Sequence, residues 1–141
     1  MKMGKYDNLI SFVGKPDDAH PDMNWDGIGR IVWMDPGAMP GTTYFEMMWF
    51  YAPREPGPPT HTHDFDEIIG FVGGDPENPK ELGATVHFRL GDESYTFTKS
   101  VIIFIPAGME HSPIHVEKVD KPFIHFSGGP AKSAYDKADA E

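Results

Sequence analysis

Prolines and glycines, 14 and 15 of them in 141 residues, are spread between short apolar segments. Such punctuation limits a chain to short elements joined by turns. No segment holds a helical period for long, so the sequence predicts an all-β domain. Strands are expected over 28–34, 42–51, 67–72, 84–90, 94–99, 101–105, 114–119 and 122–126. Asp35-Pro36-Gly37 reads as a turn and Gly91-Asp92-Glu93 as the tip of a hairpin. The expected organisation is an arm over 1–27, one β domain over 28–128 and a tail over 129–141 that is loose or a short helix. Phe12, Val13 and Trp25 are the apolar anchors of the arm.

The segment 42–51 is apolar on both faces. Tyr44, Glu46, Met48 and Phe50 alternate with Phe45, Met47, Trp49 and Tyr51. Such a strand is covered on both sides, by the core and by something else. An exposed row of Phe45, Met47, Trp49 and Tyr51 would invite aggregation, so a homodimer is expected.

Several function classes are excluded. The chain carries 12 basic and 22 acidic residues, a net charge of −10. That field repels phosphate backbones and argues against nucleic acid. Without cysteine there are no disulfides and no thiolate ligands. The first residues hold no apolar signal core, and the apolar run Val101–Ile105 is too short to cross a bilayer. A cytoplasmic protein without membrane contact is the expectation. There is no Gly-x-Ser-x-Gly elbow, Walker loop, dinucleotide fingerprint or HExxH helix. Metal-assisted chemistry or simple binding remains.

The metal reading rests on His61, His63, Glu67 and His111. On a continuous strand His61, His63 and Glu67 share a face, whereas Asp64 and Asp66 have the wrong parity. His111 follows a further apolar run. Three imidazoles and one carboxylate suit a divalent transition metal. The second nitrogen of each imidazole needs a partner, and Asp64, Asp66 and Glu110 are candidates.

These residues resemble the two motifs of the cupin superfamily. His61, His63, Glu67 and Gly74 fit the first motif; Pro106, Gly108 and His111 fit the second. Glu55 stands where the first motif opens on Gly, Ser100 where the second does, and His115 where the second ends in Asn. His115 is therefore a reserve ligand. The resemblance implies a jelly-roll (double-stranded β-helix) barrel with one bound metal, commonly a dimer. It implies no particular reaction.

Four protein ligands on an octahedral ion leave two positions for a bidentate hydroxy acid, keto acid or enediol. Mn, Fe or Ni suits that count, and a four-coordinate Zn would be closed and structural. The function expected is a metal-dependent oxygenase, decarboxylase or isomerase acting on a small oxygenated molecule. The alternative is a non-catalytic ligand-binding or sensor domain with a structural metal. Glu46 and His125 are the expected proton carriers, with Tyr44, His87 and His115 behind them. His125 lies in the apolar stretch Phe123–Phe126, where an unpartnered imidazole would be costly. Phe50, Phe65, Phe71, Phe88, Phe97 and Phe104 are available to line a pocket or a core.

Overall fold

Alternation of buried and exposed side chains sets nearly every strand. In Glu81–Leu90, for instance, Leu82, Ala84, Val86 and Phe88 are buried and the residues between them are not. The computed structural model describes residues 4–16 and 27–130. Within them run β1 (Ile28–Met34), β2 (Tyr44–Phe50), β3 (Arg54–Gly57), β4 (Glu67–Gly73) and β5 (Glu81–Leu90). The chain continues through β6 (Glu93–Lys99), β7 (Val101–Ile105), β8 (His111–Val119) and β9 (Phe123–Gly129). The only helical element among the described residues is a 3-10 turn at Asp7–Leu9. No described helix is long and apolar enough to cross a membrane.

The strands form two antiparallel sheets, β1-β2-β9-β4-β7 and β3-β8-β5-β6. The expected all-β jelly roll is the fold observed. Its core lies between the sheets, where Phe71, Leu82, Val86, Phe88, Ile105, Val116 and Phe123 are essentially inaccessible. Full burial of each large side chain contributes about 1.5–3 kcal/mol.

The differences from expectation have local causes. The proline-rich stretch before His61 contains a short strand, β3, paired only with β8 at a sheet edge. Proline lacks an N–H, and an edge strand does not need every one. β8 starts earlier than expected because His111 pairs with Leu90. β9 runs on to Gly129 because that residue pairs with Tyr44. Phe12 and Val13 are not buried anchors; they are 66% and 61% exposed. The arm is held instead by the Ser11 hydroxyl, which donates to the Trp33 carbonyl, and by the buried Lys15. Trp25 and residues 131–141 lie outside the described residues. Phe104 is 58% exposed and takes no part in the core.

Candidate metal centre

His61, His63, Glu67 and His111 meet at one end of the barrel, but not along one strand. β4 begins only at Glu67, and residues 62–66 form no strand. Strand parity therefore does not align His63 with Glu67. His61 is fixed by a two-way backbone bridge to His111, each N–H donating to the other's carbonyl at 3.1 Å. The Gly108 N–H donates to the His63 carbonyl at 2.9 Å. Asp66 accepts the Ala107 N–H at 2.9 Å. These bonds tie the two sequence motifs together before any ligand is considered. Gly108 adopts φ +83°, a conformation that favours glycine.

The ligand atoms of His61, His63 and His111 lie within 4.8 Å of one another. Glu67 enters from the opposite sheet. Its Oε1 is 3.3 Å from His63 Nε2 and 3.1 Å from His111 Nε2. Its Oε2 accepts a short hydrogen bond from the Tyr44 hydroxyl. All of these side chains except His61 are buried. Phe65 lies flat against His63, ring centroids 4.7 Å apart, and meets Tyr44 edge-on.

The second nitrogens are not served by the expected carboxylates. His61 Nδ1 is 2.6 Å from the Pro59 carbonyl and His111 Nδ1 is 3.0 Å from that of Met109. A carbonyl only accepts, so each Nδ1 carries a proton, and in the neutral ring that leaves Nε2 to present a lone pair. In His111 that lone pair faces a carboxylate oxygen 3.1 Å away, and the contact lacks hydrogen-bond alignment. Two acceptors held together in a buried site need a cation or extra protons between them. The donor set suits a divalent ion.

Burial would raise the Glu67 carboxyl, but hydrogen bonding by His111 and His63, which needs a proton on the facing Nε2 atoms, and by the Tyr44 hydroxyl outweighs it and holds it at about 2; positive charge facing Oε1, as protons or as a cation, keeps it ionised. Burial pushes the His61 imidazole down to about 4, with His111 and His63 adding to the fall against the opposing pull of the Pro59 carbonyl. Carboxylate and neutral imidazole are the forms that ligate a metal.

Glu46 and His125 stand at different depths. Glu46 pairs with Ser127, which pairs with Ile69, two residues along β4 from Glu67. Burial pushes the Glu46 carboxyl up; Lys15 and Arg30 pull it down, and Glu67 and Asp35 push it further up. His125 pairs with Phe71, four residues from Glu67, or about 13 Å along the strand. It stacks on Phe71 at 5.0 Å, and its Nδ1 is 3.0 Å from the Gly70 carbonyl. Burial lowers its pKa to about 4. The partner that its burial demands is thus a backbone carbonyl. His115 does not join the ligands. It pairs with His87 on the outer face of the β3-β8-β5-β6 sheet, where His87 also meets Thr96 and Glu117. Sequence reasoning missed Tyr44 as the partner of Glu67, and missed the burial of Lys15; neither carries a motif.

No protein-family model matches the sequence, and no curated protein matches it. Solved structures do match. An RmlC-like cupin from Shewanella frigidimarina aligns over 75% of this chain and 78% of its own, at 12% identity and TM-score 0.46. KdgF from Halomonas sp. aligns over 84% and 95%, at 17% identity and TM-score 0.48. An oxalate oxidase aligns over 89% of this chain and 70% of its own, at 15% identity and TM-score 0.50. The chain has the cupin fold.

In this cupin fold the two motifs leave different sheets. Glu67 opens β4 of one, and His111 opens β8 of the other. The barrel end thereby brings together groups 44 positions apart in the chain.

Proposed function

We propose that this chain is a metal-dependent enzyme acting on a small oxygenated organic molecule, of the oxygenase, decarboxylase or isomerase type. The observation that carries the reading is the buried approach of two imidazole Nε2 atoms to a single carboxylate oxygen, Oε1 of Glu67. His61, His63, Glu67 and His111 would hold one divalent ion, with Mn, Fe or Ni favoured and Zn possible. Such an ion supplies Lewis acidity toward a carboxylate, hydroxyl or carbonyl oxygen.

The remaining side chains prepare the site. Tyr44 fixes the free oxygen of Glu67, so the carboxylate turns its other oxygen inward. Phe65 walls off His63 and keeps water from one side. Glu46 is a buried carboxyl that burial pushes above its ordinary value, the direction that favours holding a proton. It is the nearer proton carrier, and His125 is the more remote one. The likeness to oxalate oxidase concerns the fold; the chemistry rests on these side chains.

Protein purified without added metal is expected to contain about one divalent ion per chain. That protein is then mixed with small hydroxy and keto acids, and oxygen uptake, carbon dioxide release and isomer formation are followed. Turnover that is lost in Glu46→Gln supports the enzyme reading. Stoichiometric metal with ligand binding and no turnover overturns it in favour of a sensor or binding domain.

A further inference from the structure

The N-terminal arm enters the barrel. Arg30 pairs with Met48, and paired residues of an antiparallel ladder share a face. Met48 belongs to the core, so the Arg30 side chain leaves β1 toward the interior. Gly14 sits against the root of that side chain. A Cβ on Gly14 would lie 2.5 Å from Arg30 Cβ, an approach that only glycine permits. Ser11 is as far along the arm from Gly14 as Trp33 is along β1 from Arg30, and its hydroxyl donates to the Trp33 carbonyl. The arm therefore runs antiparallel to β1, along the free edge of that strand and under its inner side. Lys15 is buried there, 4% exposed.

Three groups that favour an anion meet in this interior. Trp33 pairs with the buried Glu46, so its indole faces inward as well. Trp33 Nε1 is buried and has no acceptor among the described residues. An indole N–H only donates, and burying it unanswered is costly. Lys15 and Arg30 both lie close enough to Glu46 to pull its carboxyl down, and Glu67 lies close enough to push it up. The cations and the metal centre thus share one interior. Among the described residues, the charges acting on Glu46 there are two cations, Lys15 and Arg30, and two further carboxylates, Asp35 and Glu67. Asp35 is committed to its own turn, where Oδ1 accepts from the Gly37 and Ala38 N–H groups. With Glu46 ionised, the set has one negative charge in excess. A divalent ion on the candidate ligands turns that into one positive charge in excess, which a single anionic group would neutralise.

We propose that Lys15, Arg30 and Trp33 Nε1 form an anchor for a substrate carboxylate remote from the oxygens that chelate the ion. The inference rests on the metal-dependent reading of the site and narrows its substrate to hydroxy or keto diacids. One end of such a molecule chelates the ion and the other meets the anchor. Lys15 and Arg30 supply the charge, and the indole supplies a directed hydrogen bond. Burial favours a proton on Glu46, which lessens its repulsion of the incoming carboxylate. Glu46 is the register partner of Trp33, so the expected proton carrier stands beside the anchored end. The arm is then a wall of the site, and Lys15 is the residue through which it selects charge.

To test this, the full chain is loaded with manganese and its metal content is measured. Isothermal titration then compares malate, α-hydroxyglutarate and α-ketoglutarate with the monoamides that block the carboxylate far from the hydroxyl or keto group. At least one diacid is expected to bind about tenfold or more tightly than its monoamide. Lys15→Met should abolish that preference with metal content unchanged, and Lys15→Arg should keep most of it. Trp33→Phe retains both cations and a ring, and should weaken the diacid about tenfold. It decides the matter if circular dichroism shows that Lys15→Met disturbs the fold. No preference in the metal-loaded natural chain overturns the anchor alone. So does a preference that survives in folded Lys15→Met, or a Trp33→Phe variant that binds the diacid like the natural chain. A natural chain that holds no manganese overturns the proposed function, and the anchor with it.

Discussion

The Tyr44 hydroxyl reaches Glu67 Oε2 across β9, the strand that separates β2 from β4. The β9 residue paired with Tyr44 is Gly129, so no side chain stands between phenol and carboxylate. Glu67 is thereby clamped at one oxygen and presents the other to His63 and His111.

Removing that clamp should be felt at the metal. Tyr44→Phe keeps the ring and its packing but leaves Oε2 without its donor. Partners of this kind are worth about 10–100-fold in metal affinity. Competition titration with a chelating dye should show a loss of that size with the secondary structure unchanged. Equal affinity in the variant would mean that Glu67 is oriented by something else.

The ligand set itself has a sharper test. His61→Ala combined with His63→Ala should abolish stoichiometric metal in a protein that still folds, since the core lies elsewhere. In the natural chain, a metal at 100 times its dissociation constant should raise stability by about 2.7 kcal/mol. That gain should disappear in the double variant. Metal content equal to that of the natural chain would rule these ligands out.

Gly108 is expected to resist substitution although nothing crowds it. Open space surrounds the position where a Cβ would sit, but its φ of +83° disfavours any L side chain. Gly108→Ala should cost about 1–2 kcal/mol in chemical denaturation. It should also weaken metal binding, because the Gly108 N–H holds the His63 carbonyl. A neutral effect on both would show that the turn adapts.

Acid should destabilise the metal-free protein in a window set partly by His125. Its folded pKa is lowered to about 4 from an ordinary value of 6.5. The unfolded chain therefore binds the extra proton first. The contribution is fully present above pH 6.5 and is lost as pH falls from there through 4. Between pH 7.5 and 5 the loss is on the order of 2 kcal/mol. Denaturation of the natural chain and of His125→Asn at both pH values should show a smaller pH effect in the variant. The same slope in both would mean that His125 is not the group responsible.

The alternation of apolar residues, the glycine and proline punctuation and the lack of a helical period were enough to read an all-β domain, because each strand's pleat is a local property. The metal-ligating types were legible for a similar reason: imidazoles and a carboxylate at tight spacing carry their chemistry wherever they are placed. What the strand pattern could not decide is how those groups meet. His61 and His63 lie outside β4, and backbone bonds from His111 and Gly108 orient them, links across more than 40 positions that only closure of the barrel creates. The same holds for Tyr44 on Glu67 and for the carbonyls that take the imidazole protons. It holds for Phe104 as well, since whether that ring faces the core or the outside depends on which sheet β7 joins and in which register. Local pattern fixes what each segment is; long-range pairing fixes which side chains face one another.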